Sequence, residues 1–530
     1  MAGGAADRPP RRRLIAGIVL IGLAAVAMLT LALGPPTKGV ANNGDYERLT
    51  MQLGVAAAPG YKLDDPGALT STYRTGLPRD QLGLPPELVR SPSLFRYYYG
   101  YLSSELPIAR AAIEAHRAVQ GQRSFDLRWL GAFNALVLLM GLAFLLSGAR
   151  QTGRTGWMVA SVLAVLAFTD VGYVLYLNSF YSEPAELGLL LATVGAAATV
   201  SLVRRSFVCF VCFSAAGVLL VTAKTEDALY ALPLVLLGLA LARRQLAVVW
   251  QRRAGYGLSA LVLAAGAWSY THAPPYLGQI HSYNAVFDGV LVVAPDREAA
   301  LADLGIPRSL SKYAAHPAFS GQDSLFASPN AHTEFFDRIS TSKLVGYYLR
   351  HPGQAWSAAE RAADSAPDLR PTDLSNLTKS RSAASGQFAS DSPWTAIHRD
   401  AIPHSAWFVL AVFLVAAVIG SRGVQRVWRG RAERRSSPEV LVAVSIMGLI
   451  AFATPVIGDG FNEIIKHEFS FNVLLDITLI TLVALAADRL FRAARENRFV
   501  LYHGNRIVAR VRGRAHSPAG AEQHSTDAAG

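Results

Sequence analysis

Cysteine is nearly absent from this chain: two of its 530 residues are cysteines, Cys209 and Cys212. Both lie in one apolar segment, so the polar segments cannot depend on disulfide bonds. Their C-x-x-C spacing is that of a redox pair or half a zinc site, but no second pair and no histidine lies nearby. We therefore interpret both as small apolar side chains within a helix.

Charged residues are also scarce, at 17% of the chain against 52% hydrophobic residues. Soluble domains rarely have that balance, whereas polytopic membrane proteins usually do. The charge is one-sided as well, with a formal net charge of +12. Nucleic-acid binding would require a basic groove with interleaved aromatic residues on a soluble domain, and we find no such segment. We expect a membrane as a partner, and no nucleic acid.

Long apolar runs are abundant, and the first of them covers residues 14–33. It follows three arginines at 11–13, and its 20 residues are enough to span the hydrocarbon core of a bilayer. A signal peptide has a shorter apolar core and a small-residue cleavage site, for which Gly34-Pro35-Pro36 is a poor sequence. The run therefore predicts an uncleaved anchor.

Further apolar runs predict transmembrane helices near 129–147, 157–176, 185–203, 206–222, 228–242, 256–270, 405–420, 438–457 and 469–487. With the first run they indicate an all-α polytopic membrane protein with about ten transmembrane helices. Arginines collect in alternate connections, at 150–154, 204–205, 243–253, 422–435 and from 489 onward. Short basic loops stay in the cytoplasm, so we predict that both termini are cytoplasmic.

This topology divides the chain into five regions. They are a cytoplasmic N-terminus at 1–13, a transmembrane module at 14–270, a large extracytoplasmic loop at 271–404, C-terminal transmembrane helices at 405–490 and a basic, disordered cytoplasmic tail at 491–530. The composition, rich in alanine, glycine and arginine, suggests the cytoplasmic membrane of a bacterium.

Two outer loops are large enough to carry structure of their own. In the first, at 34–128, tyrosines at 97–101 and a helical pattern at 108–119 predict helices lying at the membrane interface. The second is predicted to be mostly helical, near 297–304 and 334–366, with a mobile stretch at 366–393 that is rich in proline, serine and aspartate.

The first outer loop begins with two carboxylates one residue apart, in Asn42-Asn43-Gly44-Asp45-Tyr46-Glu47. In an extended chain, residues two apart point the same way, so Asp45 and Glu47 would both face one substrate or one divalent cation such as Mg²⁺ or Mn²⁺. The alternative is a solvated turn, because Asn-Gly-Asp is a typical turn sequence.

Other polar residues that could bind a substrate or take part in a reaction lie on the same predicted side of the membrane. They are Asn178, Tyr181 and Glu183 before the fourth span, Lys224 after the fifth, and Lys466 and His467 before the tenth. Each has a simpler interpretation: Lys466, for example, could extend to lipid headgroups, and His467 could be a packing residue. Their shared side nevertheless predicts that an active site would open outward.

An acidic D-x-E motif in the first outer loop of a chain with about ten spans and a cytoplasmic N-terminus resembles the GT-C superfamily of membrane glycosyltransferases. The resemblance covers residues 14–490 and Asp45-x-Glu47. It implies transfer of a sugar from a polyprenyl-phosphate donor, with Asp45 closest to the reacting centre. The partners expected are that lipid-linked sugar and a glycan or lipid acceptor of the cell envelope.

The chemistry of such a transfer needs the residue types found here. A carboxylate, Asp45, can take the proton of the acceptor hydroxyl. The cationic residues Lys224, Lys466 and His467 can stabilise the departing lipid phosphate. We expect the remaining substrate contacts from Glu47, Asn178, Tyr181 and Glu183.

Two other classes of protein stay open. A transporter or flippase for a lipid-linked envelope precursor would have paired repeats and helices broken at mid-membrane, and the sequence has no clear repeat. A non-catalytic scaffold for envelope assembly would not depend on Asp45.

Overall fold

The structure is a computed structural model, and it describes most of the chain. The residues described are 11–34, 38–40, 42–57, 72–77, 92–121, 124–202, 206–320, 325–328, 330–371, 375–376, 392–430 and 437–515. They are mostly helical.

The helices of the first half are α1 (Arg11–Leu33), α2 (Glu47–Leu53), α3 (Pro92–Tyr99), α4 (Glu105–Gln120), α5 (Leu127–Gly148), α6 (Gly153–Phe168), α7 (Val171–Val174), α8 (Glu183–Thr199), α9 (Ser206–Leu220), α10 (Ala231–Gln245) and α11 (Val249–Thr271). Four short strands accompany them, β1 (Gly39–Val40), β2 (Val55–Ala57), β3 (Thr72–Thr75) and β4 (Ser124–Asp126).

The helices of the second half are α12 (Pro275–Asn284), α13 (Leu291–Val293), α14 (Arg297–Leu304), α15 (Thr341–Arg350), α16 (Pro352–Ser365), α17 (Pro393–Ala401), α18 (Ala406–Trp428), α19 (Pro438–Asp459), α20 (Ile464–His467) and α21 (Phe469–Ala515). One further strand, β5 (Ser375–Asn376), precedes α17.

Each apolar run that predicts a transmembrane helix is helical over most of its length, although the run at 157–176 is interrupted after Phe168, where Asp170 caps the short helix α7. Among the described residues, five helical segments are long and apolar enough to cross a membrane, at 13–33, 127–168, 406–428, 438–459 and 469–495. The second of these covers both α5 and α6, which a short 3₁₀ turn joins. The chain is therefore a mostly helical membrane protein, and ten crossings remain a prediction.

Helix α8 occupies the centre of the bundle, and nearly all of its residues are buried. It packs against α5 through small residues, Gly188 and Gly195 on α8 facing Gly141 and Gly148 on α5. A Cβ atom at Gly195 would lie 2.3 Å from the backbone nitrogen of Leu145. Small residues of this kind let helix backbones approach closely inside a bilayer, where no hydrophobic force brings helices together.

Two buried aspartates fasten the second outer loop to the helices. Asp170 accepts hydrogen bonds from Ser392 Oγ at 2.9 Å and from the Trp394 backbone nitrogen at 2.9 Å. Asp476 accepts from the Trp394 indole at 2.8 Å and from the Tyr173 hydroxyl at 2.8 Å. Because a buried carboxylate is costly without donors, these bonds fix the position of α17.

The two large loops contain strands that the sequence did not predict. Strands β2, β3 and β4 form an antiparallel sheet within the first loop, and β1 pairs with β5 of the second loop. In that pair Gly39 lies opposite Asn376 and Val40 opposite Ser375. The all-α prediction is therefore corrected in the loops, because short pairings between distant segments have no periodic signal in the sequence.

Helix α14 and helix α4 confirm the patterns at 297–304 and 108–119, while 334–366 divides into a π-helical turn at 332–336, α15 and α16. The start of the predicted mobile stretch is packed: Ala366, Leu369 and Arg370 are buried. Much of the remainder, residues 372–374 and 377–391, lies outside the described residues.

The C-terminal tail also differs from prediction. Helix α21 continues to Ala515, so residues 491–515 are helical where the polar composition predicted disorder. A helix that is already formed extends at low cost, since only its nucleation is unfavourable. Residues 516–530 lie outside the described residues.

The close approach of α5 and α8 leads to a stability prediction. Gly195→Ala places its methyl group against the α5 backbone, and we expect a loss of about 1–3 kcal/mol, the usual cost of overpacking. Thermal unfolding of the purified protein in detergent measures it. Gly257→Ala is the matched control, since a Cβ atom there has nothing within 4 Å. Equal melting temperatures for the two variants would contradict the packing described.

Candidate functional site

The segment that carries Asp45 is a tight turn and not an extended strand. The backbone nitrogens of Gly44 and Tyr46 both donate to Asn42 Oδ1, at 2.9 and 3.1 Å. Gly44 has a φ of 107°, which favours glycine. Helix α2 begins two residues after Asp45, at Glu47. Because of this turn, the carboxylate side chains of Asp45 and Glu47 point in different directions.

Asp45 and Glu47 consequently have different partners. Asp45 forms ion pairs with Arg48 and Lys466. Glu47 instead accepts a hydrogen bond from Asn42 Nδ2 at 2.9 Å. The prediction that both carboxylates face one ligand is wrong, because it assumed extended backbone where an asparagine side chain closes a turn.

Asp45 is surrounded by positive charge. Lys466 is 3% exposed, and its ammonium also lies 3.3 Å from Glu463 Oε2 and 4.7 Å from the centre of the Tyr181 ring. The Arg48 guanidinium lies over the Tyr101 ring, 5.0 Å from its centre. Burial acts to raise the pKa of Asp45, but Arg48 and Lys466 outweigh burial and hold that pKa below its ordinary value. Asp45 is therefore a carboxylate at neutral pH.

A second group of charges lies beside the first. The Lys224 ammonium lies 3.2 Å from Glu183 and 2.5 Å from Glu226. The imidazole of His467 lies 3.5 Å from Glu226 through Nδ1 and 3.1 Å from Asp459 through Nε2. Burial acts to lower the pKa of His467, but the adjacent carboxylates of Asp459 and Glu226 outweigh burial and raise the pKa to about 10. His467 is therefore a cation at neutral pH.

The connection between α19 and α21 places these cations. Gly460, with a φ of 67°, packs against Gly289, and the Phe461 backbone nitrogen donates to the Asp288 carbonyl at 3.1 Å. Glu463 has a φ of 48°, unusual for a residue with a side chain. Asn43 Nδ2 holds the Glu463 carboxylate at 2.7 and 2.8 Å, so the strained residue is tied to the first outer loop.

These residues line two adjoining pockets, which we call the inner and the outer chamber; both are partly open to solvent, and they share part of their lining. The inner chamber has a volume of about 480 Å³ and contains Lys224, Glu226, Lys466 and the Glu183 carboxylate in its lining. The outer chamber has about 1040 Å³ and is lined by aromatic and polar residues that include Tyr276, Phe319 and Asn462. Five residues line both chambers, namely Asp45, Arg48, Leu277, His281 and His467.

The structure brings together most of the residues singled out in the sequence. Six line the inner chamber, namely Asp45, Tyr181, Glu183, Lys224, Lys466 and His467. Glu47 does not line the chambers described above. Asn178 does not either, because its amide donates to the carbonyls of Ala32 and Lys38, at 2.8 and 2.6 Å. The amide nitrogen of Asn178 secures the C-terminal end of α1, and its predicted contact with substrate stays a prediction.

Sequence reasoning missed other residues of the site. Arg48 lies within α2 and pairs with Asp45 three positions earlier, a spacing that a helix start would have suggested. His281, in α12, lies against His467 with ring centres 6.2 Å apart. Burial lowers the pKa of His281, so a neutral imidazole faces the pocket beside charged His467.

The residues present do not fit a divalent cation. In the described part of the chain, no group of three or more histidine, cysteine, aspartate or glutamate residues could hold a metal ion. Asp45 and Glu47, the pair suggested for that role, have separate partners, and those of Asp45 are cations. A hard cation requires several oxygen ligands around one point. The pocket is better suited to an anion.

The fold and the pocket together define a polytopic membrane protein with a charged cavity between its two large loops and its helices. The chain belongs to the family of the YfdI N-terminal transmembrane domain, whose family model matches residues 10–501. A search of curated proteins found no significant match.

The raised pKa of His467 leads to a prediction about stability and pH. Its pKa is about 10 in the folded protein and about 6.5 in an unfolded chain. The resulting stabilisation is complete below pH 6.5 and is lost as the pH rises through 10. We expect the melting temperature to fall between those values, and His467→Gln to reduce that fall. Exposed His272, changed to glutamine, is the control; an equal fall in all three proteins would contradict the assignment.

Proposed function

We propose that this protein is a membrane glycosyltransferase of the GT-C type. It would move a sugar from a polyprenyl-phosphate donor to a glycan or lipid acceptor of the cell envelope, on the outer face of the bacterial cytoplasmic membrane. One observation carries the proposal: Asp45 lies in the wall between a chamber rich in cations and a larger polar chamber. A base for transfer between two substrates belongs at such a boundary.

The inner chamber suits the phosphate of the donor. Lys224, Lys466, Arg48 and His467 all line it, and each pairs with a carboxylate. Cations held in this way are already placed and partly desolvated, so they stabilise developing negative charge without reorganising. The departing lipid phosphate gains negative charge as the bond to the sugar breaks, and these cations stabilise that charge.

Asp45 is a weak base while both of its cations remain paired with it. A phosphate bound in the inner chamber competes for Arg48 and Lys466, and the basicity of Asp45 rises as they turn to the phosphate. Binding of the donor thereby prepares Asp45 to take the proton of the acceptor hydroxyl.

The acceptor oxygen forms a bond to the anomeric carbon, and its proton passes to Asp45. The bond between that carbon and the phosphate oxygen breaks, and its electron pair leaves with the lipid phosphate. The proton on Asp45 is lost to water when the product departs.

The family and the sequence support the same proposal. The model of the transmembrane-domain family matches residues 10–501, and the resemblance to GT-C enzymes covers residues 14–490. Both ranges include the first outer loop with Asp45 and the connection with Lys466.

Asp45→Asn tests the proposal because it keeps the size of the side chain and removes the base. With purified protein in liposomes, polyprenyl-phosphate sugars as donors and envelope glycans or lipids as acceptors, we expect the transfer rate to fall by about 10²- to 10⁴-fold, the usual contribution of a positioned base.

Glu47→Gln is the matched control, since Glu47 lies two residues away and does not line the chambers described. We expect its rate to stay within about tenfold of wild type, since it touches no reacting group. Transfer that is unaffected by Asp45→Asn, or lost equally in both variants, would contradict the role given to Asp45.

A further inference from the structure

A further pocket lies within the helix bundle and shares no lining residue with the two charged chambers. It lies between α5, α6, α8, α19 and α21, and its volume is about 770 Å³, including its open mouth. Most of the side chains that line it are apolar, among them Ala160, Ala164, Val444 and Ile480. Packed protein interiors leave few voids larger than a water molecule, and apolar voids stay dry. A space of this size therefore indicates an apolar ligand.

The pocket lies at the end of the bundle where the basic connections meet. Gln151, after α5, and Ser437, before α19, both line it, and the Ser437 backbone nitrogen donates to Gln151 Oε1 at 2.8 Å. Arg244, near the end of α10, forms an ion pair with Glu439 in the first turn of α19. These contacts join three of the connections in which arginines collect. The pocket is therefore in the half of the bundle that the distribution of arginine predicts to be cytoplasmic.

Two hydrogen-bond donors at this end of the pocket have no acceptor. Ser437 is 4% exposed, and its hydroxyl has no hydrogen-bond partner. Arg150 belongs to the turn at 149–152, whose other residues line the pocket, and its Nε is likewise buried without a partner. Asp488, which packs against the start of α6, already pairs with Arg492. Buried donors without acceptors are rare, so the protein atoms alone do not complete this end of the pocket.

We propose that this pocket binds one acyl chain of an anionic phospholipid, with the lipid phosphate beside Ser437 and Arg150. The apolar walls match the chain, and the two donors and the charge of Arg150 match phosphate oxygens. Basic pockets between transmembrane helices on the cytoplasmic side bind anionic headgroups in this way. A peptide segment would bring backbone polar groups that apolar walls cannot satisfy. The inference is independent of glycosyl transfer and holds equally for a transporter.

Photolabelling of the full-length protein in detergent tests the proposal. The probe is phosphatidylglycerol with a diazirine at the end of one acyl chain, and mass spectrometry identifies the labelled peptides. We expect saturable labelling of the segments that line the pocket, at 145–164, 437–444 and 477–481. Unlabelled phosphatidylglycerol should suppress it, and an equal excess of phosphatidylcholine should not. Arg150→Gln should weaken phosphatidylglycerol binding about fivefold, the effect of one arginine near an anionic lipid.

Ala164→Phe fills the pocket, because Ala164 lines it and is 2% exposed, and we expect this variant to lose the saturable label. Ala264→Phe is the matched control, since Ala264 is exposed on α11. Labelling of the wild type only on other segments, or labelling unchanged in Ala164→Phe, would overturn the proposed site. Equal suppression by phosphatidylcholine would overturn the anionic headgroup. Melting temperatures identify a variant that fails to fold, and the wild-type labelling then decides by itself.

Discussion

The buried ammonium of Lys466 and the carboxylate of Asp45 form an ion pair across 421 positions of sequence, and the pocket depends on that pair. Asp45 belongs to the turn that opens the first outer loop, and Lys466 belongs to the last connection between long helices. Because Lys466 is buried, removing its partner would leave an uncompensated charge in a poorly solvated place. The same contact therefore closes the wall of the pocket and places the residue we propose as the base.

The rest of the pocket repeats this arrangement of charge. Four cations, Arg48, Lys224, Lys466 and His467, each lie beside at least one carboxylate. Such pairs are stable together and costly to separate, so the cations are fixed in place without a ligand. A lipid phosphate would replace the carboxylates as their partner. The outer chamber, which is larger and has aromatic and amide side chains, leaves room for an acceptor on the other side of Asp45.

The sequence predicts the structure well where the role of a residue follows from its neighbours in the chain. Apolar runs predicted the positions of the long helices, and the distribution of arginine and acidic residues placed Asp45, Lys224, Lys466 and His467 on one side. The features that the sequence did not predict concern residues and strands whose positions depend on tertiary contacts. The amide of Asn178 donates to the carbonyls of Ala32 at the end of α1 and of Lys38 beyond it, and Glu47 points away from Asp45 because Asn42 closes the turn between them. The pairing of β1 with β5 likewise joins segments more than 300 residues apart, for which no local pattern exists.

Donor cleavage by the wild-type protein is the most direct test of the central claim, that a lipid phosphate leaves from the cation-rich chamber. Full-length protein in liposomes is incubated with a panel of polyprenyl-phosphate sugars and an acceptor extract of the cell envelope, and released polyprenyl phosphate is measured. The account predicts release from at least one donor, in amounts equal to the sugar transferred. Intact donors that cross between leaflets without any release of polyprenyl phosphate would contradict it and would identify a transporter.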